Sequence, residues 1–157
     1  MKNQSLLIIS GPGLADCIDF EGNKYGEISP GQIEQVCLAK GEALGLAVDF
    51  RQTDDIETLF KWIERDIGKF DGLIINPCLN SQAALMDFEA YQTTIERVAP
   101  LKKPVIEVYL GNVFLPGSRL AGPVKVPQAE AGFICGLGVH GYTLAIQAIE
   151  GRISDAQ

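Results

Sequence analysis

Leu6-Leu7-Ile8-Ile9-Ser10-Gly11-Pro12-Gly13 decides the fold: four consecutive apolar residues halted by a turn-forming quartet. A short uninterrupted run of this kind reads as a buried strand, and the Gly-Pro-Gly that follows marks its end. The signature recurs at Gly72-Leu73-Ile74-Ile75, stopped by Asn76-Pro77, and at residues 104–110, PVIEVYL. Residues 47–50 and 132–135 supply two further strands. Between these runs lie longer stretches of helical period. Ser29-Pro30-Gly31-Gln32 offers an N-cap serine, a proline at the first helical position and a capping-box glutamine. Ile33, Val36, Cys37 and Leu44 follow at helical spacing, and Gly45 ends the segment. Asp54 or Asp55 caps a second helix that turns Ile56, Leu59, Phe60 and Ile63 inward. The pattern predicts a third helix over 81–98, a fourth over 139–149, and a frayed tail over 151–157. Strands alternating with helices mean βαβ units: one α/β domain spanning 1–157, layered around a five-stranded parallel sheet. In such folds ligands bind outside the carboxyl ends of the strands. Here those ends are residues 10–13, 52–54, 76–78, 110–112 and 136–138.

Composition narrows the function by exclusion. A chain of 157 residues, 46% hydrophobic and 21% charged, can bury a full core without disulfides or metal. Its net charge of −7, from 20 acidic and 13 basic residues without a cationic cluster, argues against nucleic acid or an anionic membrane as partner. No apolar run approaches the roughly 20 residues of a membrane span. The N-terminus reads as a first strand rather than a signal peptide, so the expected location is cytoplasmic. Four scattered cysteines, Cys17, Cys37, Cys78 and Cys135, without a C-x-x-C, fit reduced thiols. The one histidine, His140, excludes a multi-histidine zinc site, and no metal is expected. Any acid–base chemistry must rest mostly on other groups.

Several motifs carry two readings each. Gly136-Leu137-Gly138-Val139-His140-Gly141 fits G-x-G-x-x-G, but no strand completes a βαβ unit after it and no acidic residue lies about 20 positions on. Its glycines read as a tight strand-to-helix turn instead. Glu107 interrupts an apolar strand, where a carboxylate must be paired or hydrogen-bonded; a structural ion pair and a catalytic role are both open. Asn76 is a turn signal that can also present an amide to the cleft. Tyr25 closes the loop 16–24, which suits an active-site lid or an ordinary surface loop.

Together these segments resemble the type II 3-dehydroquinate dehydratases (type II dehydroquinases). Ser10-Gly11-Pro12-Gly13-Leu14 stands where that family has N-G-P-N-L, with Tyr25-Gly26 at the family's spacing. Phe50-Arg51-Gln52 through Trp62-Ile63 is similar to F-x-Q-S-N-H-E-G…W-I, and Asp71-Gly72 through Asn76-Pro77 to D-G-x-x-I-N-P. Residues 104–112 are similar to P-V-V-E-V-H-L-S-N, and residues 134–142 to I-C-G-F-G-V-D-G-Y. The likeness runs through nearly the whole chain, in order. It implies a flavodoxin-like three-layer sandwich, assembly into trimers and dodecamers, and a small cyclic hydroxy-acid as substrate. It also implies cofactor-free anti elimination of water through an enolate. In such enzymes a lid arginine assists a tyrosinate base, and a histidine held by a glutamate protonates the leaving hydroxyl.

Carried over residue by residue, the resemblance makes Tyr25 the base, Asn76 a substrate-binding amide, and Glu107 the holding glutamate. Glu89 becomes the acid that reaches a neighbouring subunit's site. Elsewhere the chain departs. Phe20 stands for the lid arginine, Gly13 for the asparagine beside the enolate, and Gln82 for the substrate-binding histidine. Tyr109 stands for the proton-donor histidine. Leu110 and Gly111 occupy the carboxylate-binding segment, where Gly111 leaves only backbone amides. Leu120 replaces the carboxylate-side arginine, with Arg119 adjacent. A tyrosine of pKa near 10 is about 0.1% ionised at pH 7, so Tyr25 needs a cation, with Lys24 or Arg51 as candidates. A phenol is a weaker acid than imidazolium, and lost acid–base assistance is worth about 10²–10⁴-fold in rate. Phe20, Tyr109, Phe114, Leu115 and Leu120 make the expected pocket more apolar and less cationic. Three readings follow: the family's dehydratase reaction; a related lyase or isomerase reaction using Tyr25; or a non-catalytic ligand-binding or scaffold protein keeping the fold.

Overall fold

The computed structural model describes residues 3–12, 14, 29–78, 88–111 and 131–155. Among the described residues are five strands: β1 Gln4–Ser10, β2 Leu46–Gln52, β3 Gly72–Asn76, β4 Val105–Tyr109 and β5 Ala131–Cys135. Four longer α-helices lie among the described residues: α1 Pro30–Ala43, α2 Ile56–Asp66, α3 Phe88–Val98 and α4 His140–Asp155. Every strand pairing is parallel, in the order β2-β1-β3-β4-β5. This is the flavodoxin-type order, in which the chain reverses direction across the sheet between β1 and β3.

The uninterrupted apolar run of β1 is explained by burial on both faces, because successive side chains of a strand point to opposite sides. Leu6 and Ile8 join one core with Ile33 and Cys37 of α1 and with Tyr142, Ala145, Ile146, Ile149 and Ile153 of α4. Leu7 and Ile9 join the other with Leu59 and Ile63 of α2 and Tyr91, Ile95 and Val98 of α3. The result is three layers, α1 and α4 against one face and α2 and α3 against the other.

Local chemistry sets the start of α1 as expected. The Ser29 hydroxyl accepts from the Gln32 amide at 3.2 Å, and Gln32 Oε1 accepts from the Ser29 amide at 2.6 Å. Leu44 caps the end of α1, and Gly45 follows at φ +73°, a left-handed turn that glycine makes without steric cost. Asp55, rather than Asp54, caps α2 through the Thr58 amide. The expected end of the last helix near Ile149 is corrected: α4 runs to Asp155, because Ile153 still packs into the core beneath Gly72. The expected start of the third helix at Ser81 lies outside the described residues. No helix among the described residues is long and apolar enough to cross a membrane.

One ionic cluster ties β2 to the end of α2. Asp66, buried, receives Arg65 at 2.7 Å, Arg51 at 2.6 Å and Lys69 at 3.1 Å. Arg51 also bonds Asp49 at 2.8 Å, and its guanidinium lies over the rings of Trp62 and Phe70, 5.6 and 5.8 Å from their centroids. The hydrogen bonds from Arg65 and Arg51 hold the Asp66 carboxyl well below the usual carboxylate range. A depressed folded pKa contributes stability above the unfolded value that is lost as pH falls. Asp66→Asn is therefore expected to destabilise by about 1–3 kcal/mol in urea unfolding at pH 7. The gap to the wild type should shrink as pH drops below about 4; a gap that is flat with pH would contradict this assignment.

Candidate active site

The reversal between β1 and β3 brings Ser10 and Asn76 side by side as register partners at the carboxyl ends of their strands. Both are buried, and both reach the same phenol. Asn76 Nδ2 donates to the Tyr142 hydroxyl at 2.9 Å, and the Ser10 hydroxyl lies 2.9 Å from that oxygen. The Cys78 amide donates to Asn76 Oδ1 at 3.0 Å, which fixes the orientation of the side-chain amide, since only its oxygen accepts. Cys78 achieves this from a left-handed backbone, φ +54°. Burial, then the neighbouring Cys78, pushes the Tyr142 hydroxyl far above the ordinary phenol range, so it is a neutral bridge and not a base. The backbone is drawn equally tight. The Gly11 amide donates to the Asn76 carbonyl at 2.7 Å, and a Cβ at Gly11 would stand 2.9 Å from the Pro77 carbonyl oxygen.

A second polar centre lies one strand over. Val105, Glu107 and Tyr109 alternate onto the face covered by α3, so Glu107 meets Tyr91 of that helix. The hydroxyls of Tyr91 and Tyr109 both donate to Glu107 Oε2, each at 2.8 Å. Glu107 is 3% exposed and Tyr109 2%. Burial pushes the Glu107 carboxyl up, while the hydrogen bonds from Tyr109 and Tyr91 pull it down. The ion pair that the sequence left open for Glu107 is not what holds it: its described partners are two neutral phenols.

Beyond Tyr109 the strand end is clamped to the glycine turn. The Gly136 amide donates to the carbonyls of Tyr109 and Gly111 at 3.3 and 3.0 Å, and the Gly138 amide to that of Leu110 at 3.0 Å. Gly136 and Gly138 adopt φ of +82° and +56°. These two amides are committed to backbone carbonyls, and the G-x-G-x-x-G segment is a structural turn.

Asn76, Glu107, Tyr109, Leu110 and Gly111 thus gather along the carboxyl edge of β3 and β4. Glu89 does not join them. It is exposed on α3, two residues from the inward-facing Tyr91, in a groove of about 490 Å³ between α2 and α3 that also includes Glu57, Lys61, Glu64 and Arg97. Arg51, expected as a candidate cation for Tyr25, is already engaged by Asp49 and Asp66. Gly13, Phe20, Lys24, Tyr25, Gln82, Arg119 and Leu120 lie outside the described residues. Sequence pattern alone does not mark Tyr91 or Tyr142 as site residues. Each sits at helical spacing among Ile and Ala, a pattern that reads as core, and only the need of a buried phenol for a partner hints at more.

The chain is similar to known proteins over nearly its whole length. Residues 4–150 match the family model of class II dehydroquinases. The 3-dehydroquinate dehydratase of Mesorhizobium japonicum is 35% identical over 150 residues, covering 96% of this chain and 99% of its own. The 3-dehydroquinate dehydratase 2 of Pseudomonas aeruginosa is 34% identical over 155 residues, covering 98% of each chain. Among solved structures, a type II dehydroquinase from Butyrivibrio crossotus superposes with a TM-score of 0.75 at 23% identity, covering 94% of this chain and 97% of its own. At that identity the likeness speaks for the fold. On the near full-length match of sequence and model, the chain belongs to the class II dehydroquinase family.

Proposed function

We propose that this chain is a carbon–oxygen lyase that removes water from 3-dehydroquinate, as the names of its relatives state for them. The observation that carries the reading is the Tyr109 hydroxyl held 2.8 Å from Glu107 at the end of β4. The family resemblance puts a proton donor supported by a glutamate at these two positions, and here a phenol takes the imidazole's place. Tyr25 removes the proton next to the ketone, an enolate forms, and the β-hydroxyl leaves with a proton from Tyr109. Asn76 holds a substrate oxygen through the amide hydrogen not given to Tyr142, and the segment Leu110-Gly111 receives the substrate carboxylate. Gln82 and Arg119 complete substrate binding, and Phe20, Lys24 and Gly13 line the lid side. With Arg51 engaged elsewhere, Lys24 or Arg119 supplies the positive charge that Tyr25 needs. The reaction needs no cofactor. The chain works as one domain in the cytoplasm, in a trimer-based assembly where Glu89 reaches a neighbouring site.

Purified protein with 3-dehydroquinate should generate the conjugated enone, followed by ultraviolet absorbance. Tyr25→Phe should slow that turnover by about 10²–10⁴-fold. Absence of turnover in the wild type at high enzyme concentration would sink the dehydratase reading and favour a ligand-binding role.

The bridge under Asn76 has its own test. Tyr142→Phe removes the hydroxyl that both Ser10 and Asn76 use, leaving two buried polar groups short of a partner. It should cost about 1–3 kcal/mol of stability and raise KM more than it lowers kcat. An unchanged KM would mean that Asn76 keeps its orientation without the bridge.

A further inference from the structure

Glu107 and its two phenols contain more than a holder for Tyr109. A phenol carries a single hydrogen. While Glu107 is ionised, Tyr109 points that hydrogen at Oε2 and has only lone pairs to offer the cleft. A proton on Oε2 reverses the arrangement, because the carboxyl then donates to the Tyr109 oxygen and releases the Tyr109 hydrogen.

We propose that Glu107 is the proton reservoir behind Tyr109, and that Tyr91 is the positioning residue that sets when this reservoir is full. The proposal rests on the dehydratase reading above. As the carbon–oxygen bond breaks and its electron pair leaves with the oxygen, Tyr109 passes its proton to that oxygen. The Glu107 proton moves onto Tyr109, which remains a neutral phenol. Water departs, and Glu107 is left as a carboxylate. The proton taken from carbon by the base returns through solvent to Glu107 before the next turnover. Tyr91 donates to the carboxylate as it forms, so the charge appears where a hydrogen bond already waits.

The surroundings favour this role. Across the sheet Glu107 is flanked by Ile75 on β3 and Phe133 on β5. Leu59 and Ile63 of α2 and Ile95 of α3 belong to the same core. Among the described residues, Tyr91 on α3 and Tyr109 on β4 are the titratable groups that face its carboxyl. Burial raises the affinity of Glu107 for a proton, and the two phenols oppose that rise. Tyr91 itself, fully buried beside Glu107, is pushed well above the ordinary phenol range and stays a donor.

Tyr91→Phe keeps the ring and removes only the hydroxyl. Losing one hydrogen bond to the carboxylate should raise the Glu107 midpoint by about 1–2 pH units. That midpoint can be read from the infrared carbonyl band of the protonated carboxyl in the intact protein, with Glu107→Gln assigning the band. Because the acid form is the active one, kcat should fall on the alkaline side, and this limb should move upward by the same amount in Tyr91→Phe. Glu107→Gln should lower kcat and abolish that limb. A midpoint that stays in place in Tyr91→Phe would overturn the proposal, as would a Glu107-dependent limb on the acid side. A wild type without turnover whose carboxyl midpoint nevertheless rises in Tyr91→Phe would overturn the dehydratase reading while upholding the Tyr91–Glu107 coupling.

Discussion

A carboxyl group inside a strand covered on both faces is the constraint around which the carboxyl edge of β4 is arranged. Leaving a carboxylate unpaired in such a place is costly enough that the group would take up a proton instead. β4 meets the difficulty with two phenols rather than a cation, one from its own strand two residues on and one from α3. That choice has consequences for chemistry. An arginine would lock Glu107 in its charged form. Two neutral donors support the charge without fixing it, so the carboxyl stays able to exchange a proton.

The same economy of neutral donors governs the neighbouring strand end. At the point where the sheet order reverses, Ser10, Asn76 and Tyr142 satisfy one another, and the Cys78 amide completes the set. Buried polar groups in a fully connected network rigidify their surroundings, whereas a half-connected one destabilises them. The network also reaches across layers: β1 and β3 contribute Ser10 and Asn76, and α4 contributes the phenol that spans them. The close approach of Gly11 to Pro77 presses these strand ends together. A network connected in this way holds the carboxyl ends of β1 and β3 in one arrangement.

Much of the scaffold was legible because its signals are local. Four apolar residues before Ser10-Gly11-Pro12 mark a strand buried on both sides, and Ser29-Pro30-Gly31-Gln32 marks a helix start through contacts within one turn. Glu107 announced itself as a polar residue in an apolar run. Its partners could not be read in the same way. Tyr91 comes from another layer, and a tyrosine beside Ile95 and Val98 on a helix looks like any core residue until the sheet is folded beneath it. Arg51 shows the opposite failure. A cation at a strand end looks available in sequence, but Asp66 lies fifteen residues on at the far end of α2 and becomes its neighbour only through packing. The last helix outruns its local signals for a related reason: Gly151-Arg152 looks like a terminus, yet Ile153 packs under Gly72.

Replacing an imidazole with a phenol changes what a general acid needs around it. Reference pKa values of about 6.5 and 10 separate the two groups by about 3.5 units, which corresponds to about 5 kcal/mol of proton affinity. An isolated Tyr109 would therefore be a reluctant donor, and a purely ionised Glu107 beside it would make matters worse by holding its proton inward. The arrangement becomes effective only if the carboxyl can carry the proton that the phenol gives up. In that case the phenol acts as a conductor whose own acidity matters less than that of the group behind it. The chain has one histidine, and it lies at the start of α4 rather than on β4. In the mechanism proposed above, the acid behind departure of the hydroxyl is the buried Glu107 carboxyl, with Tyr91 as its second hydrogen-bond donor. Tyr109 on β4 and Tyr91 on α3 meet at the same carboxylate oxygen, so under that mechanism the two phenols act on one proton.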